Sequence, residues 1–272
     1  MELESTADAF AAQGLGVAAI SYDTPEILAA FAERMGGFSY PLLADPDSTM
    51  IEAFGILNRN VPEDHAWFGM ARPVTFIVDA DEVVTSKYFE PGHRQRVTAD
   101  SVLVKEFGIG GGSRTRVDAR QFTLTAYPAQ DEVRRGNRVT LVMEIELPEK
   151  MHLYAPGVEG YTPVSIAIPE IPYLRAHETT FPESEILLLP AIGEAAPVYH
   201  GSVRILQDVT VSPRFPEGDE LVIPATFSYQ ACDDKVCYIP SKLELTFEMK
   251  LTDHDGTRVP EELQHKAKSS EN

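Results

Sequence analysis

The chain has 272 residues, of which 43% are hydrophobic, 24% charged and 9% aromatic, enough for two ordinary domains with cores of their own and too apolar for a disordered chain. Its 42 acidic residues against 23 basic ones give a formal charge of −19, a field that repels phosphate backbones, so nucleic acid is not an expected partner. The longest stretch free of Asp, Glu, Lys and Arg runs only from Ala9 to Tyr22, short of the roughly 18 apolar residues of a membrane-spanning helix, and no membrane insertion is expected.

The opening MELESTADAF has no basic region, apolar run or small-residue cleavage site, so no secretory signal is read from it. It reads instead as the middle of a helix: Leu3, Ala7, Phe10 and Ala11 recur at helical spacing and Gly14 stops the run. Gly16 to Ser21 follows as an apolar strand, and Asp23 or Thr24 then caps a helix with Pro25 in its first turn and Ile27, Leu28 and Phe31 on one face. Asp45 to Phe54 repeats this step. Val74 to Val78 and Val83 to Tyr88 read as a hairpin around Asp81 and Glu82, and Thr98 to Phe107 as a closing helix.

Beyond the Gly run of FGIGGGSRTR the pattern changes class. Phe122 to Ala126, Arg138 to Glu146, Val164 to Ile168, Val203 to Val211, Leu221 to Gln230 and Leu243 to Leu251 alternate apolar and polar residues between Pro, Gly and acidic turns. That is the signature of an antiparallel sandwich of immunoglobulin-like size. The expected organisation is an α/β domain over residues 1–107, a Gly-rich linker over 108–116, an all-β domain over 117–252 and a charged tail over 253–272, frayed or a short helix.

Several polar groups have ordinary readings. Asp45 and Asp47 in ADPDS read as turn and helix-cap residues rather than paired catalytic carboxylates, and GIGGG follows a helix rather than a strand, so it is no phosphate loop. His65 and Trp67 fall in a loop without an evident partner. His152 and His200, next to Tyr154 and Tyr199, read as surface or turn histidines rather than proton shuttles.

Chemistry concentrates at the only two cysteines, Cys232 and Cys237. They flank a four-residue turn after the strand LVIPATFSYQ, and a hairpin there brings them within the ~4.4–6.8 Å Cα separation of a disulfide. Closing so small a loop stabilises by only roughly 2 kcal/mol, which makes it a weak staple. The spacing alone leaves a structural pair, a redox pair and unpaired thiols open; two thiolates without placed further ligands do not make a metal site, and no cofactor is expected.

The runs GLGVAAISYDTPEILAAFAERMGGFSYPLLADPDSTMIEAFGILN and GMARPVTFIVDADEVVTSKYFE resemble the AhpC/TSA peroxiredoxin and redoxin branch of thioredoxin-like proteins. The resemblance implies a thioredoxin-like fold, with Pro73, ahead of Val74-Thr75-Phe76, in the place of the family's cis-proline. The family carries its reactive cysteine at the start of the helix that this chain enters at Glu2, and residues 1–107 contain no cysteine. Peroxide reduction needs an activated thiolate, so this part is not a competent peroxidase as it stands. By the same resemblance, a central strand between Gly16–Ser21 and Val74–Val78 is missing, and the expectation is an N-terminally shortened chain.

YQACDDKVCYIP, with VIPATFS before it and SKLELTFEM after it, is similar to the N-terminal immunoglobulin-like domain of the thiol:disulfide interchange protein DsbD family; RGNRVTLVMEIELPEKMHLYAPG and PVYHGSVRILQDVTV extend the similarity upstream. The resemblance implies that Cys232 and Cys237 cycle between dithiol and disulfide with thioredoxin-like or other dithiol/disulfide proteins as partners. It also implies a cell-envelope location and a cap over the pair, with Tyr199 and Tyr154 at the matching aromatic positions. Cys237 is expected to face the partner and Cys232 to resolve; Asp233 and Asp234 oppose and Lys235 favours a thiolate, or the three are simply a polar turn. The rivals are a binding module with a structural disulfide and the remnant of a thiol peroxidase; a homodimer is compatible with the redoxin resemblance.

Overall fold

The computed structural model describes residues 2–65, 67–90, 95–189, 194–254 and 260. These residues divide into two compact units, one running to Phe107 and the other from Gly108 to Asp253. Apart from Asp253, His254 and Pro260, the expected tail lies outside the described residues.

In the first unit, α1 (Glu2–Ala12), β1 (Ala19–Ser21), α2 (Pro25–Met35), β2 (Leu42–Ala44), α3 (Thr49–Ala53), β3 (Val74–Val78), β4 (Val84–Phe89), β5 (Arg96–Val97) and α4 (Ala99–Phe107) follow in order. The helix boundaries come from local chemistry. Thr24 caps α2 by accepting from the Ile27 N–H, Pro25 supplies a preset first turn, and Gly36 ends the helix at φ 85°, a left-handed conformation that glycine adopts without a Cβ clash. The carboxylate of Glu2 accepts from the Ala99 N–H at 2.7 Å, occupying an orphan donor at the start of α4. Phe10 on α1 and Val102 and Leu103 on α4 form the buried centre, with Leu3, Leu15, Val17, Ile77 and Tyr88 around them.

β1 pairs in parallel with β2, and β3 pairs antiparallel with β4, as two separate two-stranded sheets among the described residues. The β3–β4 turn is held by Asp79, whose Oδ1 accepts from the Asp81 and Val83 N–H groups. No described peptide bond is cis. The expectation of a cis-proline at Pro73 is therefore corrected: the Arg72–Pro73 bond is trans, the isomer an X–Pro bond adopts unless its surroundings select the other. Pro73 lines a small cavity of about 140 Å³ with Thr75, Tyr88, Glu90 and Arg96. Asp45 is the turn and cap residue its sequence suggested, accepting from the Ile51 N–H at 2.9 Å, and His65 accepts from the Trp67 N–H within its loop.

The second unit contains β6 (Thr115–Asp118), β7 (Thr123–Pro128), β8 (Glu132–Arg134), β9 (Asn137–Glu146), β10 (His152–Tyr154), β11 (Ser165–Ala167), β12 (Leu174–Thr180), β13 (Glu185–Leu189), β14 (Glu194–Tyr199), β15 (Ser202–Val211), β16 (Glu220–Tyr229), β17 (Ala231–Cys232) and β18 (Ser241–Thr252). One sheet runs β12-β15-β9-β7-β6, a second β11-β16-β18-β8, and a third, smaller one β13-β14-β10-β17. Pairing is antiparallel except between β18 and β8.

Period-two alternation fixes which faces meet. Leu221, Ile223, Ala225, Phe227 and Tyr229 of β16 and Leu245, Phe247, Met249 and Leu251 of β18 are buried on one face, while residues between them are more exposed. Leu141, Met143 and Ile145 of β9 and Ile205 of β15 are fully buried from the other sheet. Each such side chain contributes about 1.5–3 kcal/mol by leaving water. Phe122 packs edge-on against Tyr229 with ring centroids 4.7 Å apart.

The run expected as a linker over 108–116 is not free of the second unit. Gly111 donates to the Ala129 carbonyl, Ser113 donates to Asp131 Oδ1 at 2.6 Å, and Thr115 and Arg116 already belong to β6. Gly112 is buried, and a Cβ there would lie 2.1 Å from the Pro128 carbonyl oxygen. The glycine is required by close backbone approach rather than by flexibility.

Candidate functional site

The third sheet positions the two cysteines. Cys232 ends β17 opposite His152 of β10, and Leu153 pairs with Ala231 on one side and Tyr199 on the other. After Cys232 the chain reverses: the Asp233 N–H donates to the Val236 carbonyl, and the Tyr238 N–H donates to Ala231. Asp233 Oδ1 accepts from the backbone of Lys235 and Val236, both at 2.8 Å, and its Oδ2 accepts from the Tyr238 hydroxyl at 3.1 Å. This Asx-type turn sets Cys237 beside Cys232. A disulfide joins them with a Cα separation of 4.1 Å, slightly under the usual window.

The two sulfurs differ in access. Cys232 is 1% exposed within a cluster formed by Tyr154, Ala196 and Val198 and flanked by Val158, Tyr161 and Leu187, whereas Cys237 is exposed. Tyr154 is fully buried and its hydroxyl lies 3.3 Å from Cys232 Sγ and 3.6 Å from Cys237 Sγ. A disulfide sulfur carries no hydrogen, so the hydroxyl is the donor. The Tyr154 backbone is fixed from both sides, donating to Gln230 and accepting from Val164, and its ring stacks on Tyr161 at 4.2 Å.

Of the two aromatics expected over the pair, only Tyr154 is there. Tyr199 is corrected: it shares a row with Leu153 and Ala231, one residue out of step with the row of His152 and Cys232, so its side chain leaves the opposite sheet face. It is 4% exposed, and its hydroxyl donates to the Pro182 carbonyl at 3.1 Å. Tyr161, from the turn after β10, went unread because nothing but its residue type marks it. The expectation for His152 is also corrected, since it is buried at 4% exposure rather than on the surface; His200 is half-buried with its ring 5.5 Å away.

The charges of the turn are arranged for its own geometry. The backbone N–H groups of Lys235 and Val236, and then the Tyr238 hydroxyl and Lys235 charge, hold the Asp233 carboxyl below the usual aspartate range. Asp234 pairs with Lys150 at 3.8 Å on the surface. Burial, and secondarily the neighbouring His200, hold the His152 imidazole below the ordinary histidine range against the opposite pull of Asp234 and Asp233.

Comparison with known proteins gives this geometry its context. Residues 1–87 match the AhpC/TSA family, and residues 122–248 match the family "Thiol:disulfide interchange protein DsbD, N-terminal". Two redox families thus meet in one chain. The first unit is a thioredoxin-like AhpC/TSA region and the second a DsbD N-terminal, immunoglobulin-like domain, with the cysteine pair inside the second match. Two Mycobacterium tuberculosis proteins, "Putative peroxiredoxin Rv2521" and "Putative peroxiredoxin MT2597", are each 38% identical over 80 residues, 29% of this chain. The chain spans about half the length of these curated relatives.

Among solved structures, the N-terminal periplasmic domain of ScsB from Proteus mirabilis aligns at 15% identity and a TM-score of 0.38, over 50% of this chain and 51% of that one. The reduced DsbD N-terminal domain of Neisseria meningitidis aligns at 15% identity and a TM-score of 0.29, over 40% and 80%. A complex between the DsbD and PilB N-terminal domains of the same organism gives 15% and 0.29, over 39% and 73%.

Proposed function

We propose that the chain is a thiol–disulfide exchange protein in which Cys232 and Cys237 carry the electrons. The observation that carries this reading is the asymmetric pair: a disulfide with one exposed sulfur, one sheltered sulfur and a buried hydroxyl within hydrogen-bond reach of both. A partner thiolate attacks Cys237 Sγ, the S–S bond breaks, and its electron pair stays on Cys232 Sγ. A second partner thiol then releases Cys237, so the partner leaves as a disulfide and this chain as a dithiol; the reverse sequence passes the two electrons on. The Tyr154 hydroxyl is placed to hydrogen-bond the Cys232 thiolate as it forms.

The partners of this reading are thioredoxin-like or other dithiol proteins, and its location is the cell envelope, in keeping with the DsbD N-terminal match. No described helix is long and apolar enough to cross a membrane. The first unit contributes no thiol, since both cysteines lie in the second. The test is equilibration of the purified chain in dithiol redox buffers, counting free thiols by mass after alkylation. A potential between about −270 and −120 mV, where exchange proteins lie, is expected; one below about −300 mV would make the pair a structural staple and the chain a binding module.

A further inference from the structure

Opening the disulfide at Cys237 leaves the negative charge on Cys232, a sulfur that is 1% exposed. A charge made out of water needs a partner at hand. Tyr154 supplies one hydrogen bond. The other neighbour is His152, the register partner of Cys232 across β10 and β17, so that both side chains leave the same sheet face with Cβ atoms about 4.5–5.5 Å apart. His152 is 4% exposed, its ring lies edge-on to Tyr154 at 5.6 Å, and its Nε2 is buried with no hydrogen-bond partner among the described residues. Buried polar atoms are rarely left unpaired, and this one belongs to the residue paired with Cys232 across the strands.

We propose that His152 is the redox-linked proton site of this pair, holding a proton only while the disulfide is open, as an imidazolium beside the Cys232 thiolate. This deepens the exchange reading and rests on it. The balance closes: the partner's two thiols give up two electrons and two protons and become a disulfide. The chain's S–S bond breaks, Cys237 takes one proton as a thiol, and the other proton resides on His152 while Cys232 remains ionised. On reoxidation Cys237 gives up its proton to the thiolate that leaves the oxidised partner as the mixed disulfide forms; the Cys232 thiolate then attacks Cys237 Sγ without first losing a proton, and the imidazolium gives its proton to the second partner sulfur.

The groups around His152 set its starting state. His200 opposes a second positive charge, Asp233 and Asp234 favour one, Lys150 offsets Asp234, and Tyr154 is committed to the sulfurs. With the disulfide closed, burial and then His200 outweigh Asp234 and Asp233 and hold the imidazole below the ordinary histidine range. A thiolate on the facing strand reverses that balance.

The experiment follows the histidine ring protons of the full chain by NMR from pH 5 to 9, oxidised and dithiothreitol-reduced. One of the seven histidines, identified by through-space contacts to the Tyr154 and His200 rings, is expected to hold its proton to at least tenfold lower proton concentration after reduction. An unmoved titration overturns the proposal. Independently, Cys237→Ser leaves Cys232 as the sole thiol, whose thiolate absorbance near neutral pH is expected to disappear on adding His152→Gln; persistence also overturns it. Exchange that survives Cys237→Ser would sink the exchange reading, whereas an unmoved histidine in a chain that exchanges normally sinks this proposal alone.

Discussion

The hydroxyl of Tyr154 lies 3.3 Å from the sulfur of Cys232, both groups being buried. A phenol in this position stabilises a thiolate more than a disulfide, because the hydrogen bond strengthens as the acceptor becomes charged. Tyr154→Phe keeps the ring and its stack on Tyr161 and deletes only the donor. We expect reduction by a dithiol partner to slow about 3- to 10-fold, the equivalent of roughly 0.5–1.5 kcal/mol. Quenched-flow alkylation measures the rate, and a variant as fast as the parent would remove Tyr154 from the chemistry.

Unequal access predicts unequal single mutants. Cys232→Ser leaves the exposed Cys237 able to bond to a partner with no second thiol to release it. It should accumulate a mixed disulfide visible as a shifted band on a non-reducing gel. Cys237→Ser leaves only the sheltered Cys232 and should trap at most a tenth as much, since attack depends on access as well as ionisation. Equal trapping would contradict the assignment of Cys237 as the partner-facing sulfur.

The turn between the cysteines should respond to acid through Asp233. Its carboxylate accepts from the Lys235 and Val236 N–H groups, which hold its pKa below the usual value. The sign follows: this contribution is fully present above the unfolded aspartate value of about 4 and is lost as pH falls through the lower, folded one. The amide shifts of Lys235 and Val236 should therefore titrate together, with a midpoint below about 4. Asp233→Asn keeps an acceptor without a charge, and the same amides should then stay flat.

The parts of this architecture legible in the sequence are those decided locally. β16 and β18 announce themselves because every second residue must be apolar to pack, and the start of α2 follows from Thr24 and Pro25. The cysteine hairpin was legible for the same reason, its turn being built from its own four residues. What stayed hidden was decided across strands. β10 is three residues long and carries no readable period, yet its register with β14 and β17 determines that Tyr154 meets the sulfurs and Tyr199 does not. β12, LRAHETT, is polar on most positions and shows no apolar alternation of its own; it becomes a strand by pairing with β15. His152 belongs to this second class, since burial of a histidine is a property of what packs on it.

The Gly run offers the sharpest separation between a composition reading and a packing one. As a linker, residues 108–116 should accept a methyl group anywhere, because an unstructured backbone has nothing to strike. Packed as it is, the run discriminates: a Cβ on Gly111 meets nothing within 4 Å, while one on Gly112 would lie 2.1 Å from the Pro128 carbonyl oxygen and 2.9 Å from its carbon. Backbone atoms give way only by shifting β7, so Gly112→Ala should lower the stability of the second unit by about 1–3 kcal/mol, the usual cost of overpacking. Gly111→Ala keeps its N–H bond to Ala129 and should change stability by less than about 0.5 kcal/mol. Urea unfolding of the two variants side by side decides the matter, and equal midpoints would return this stretch to the status of a tether.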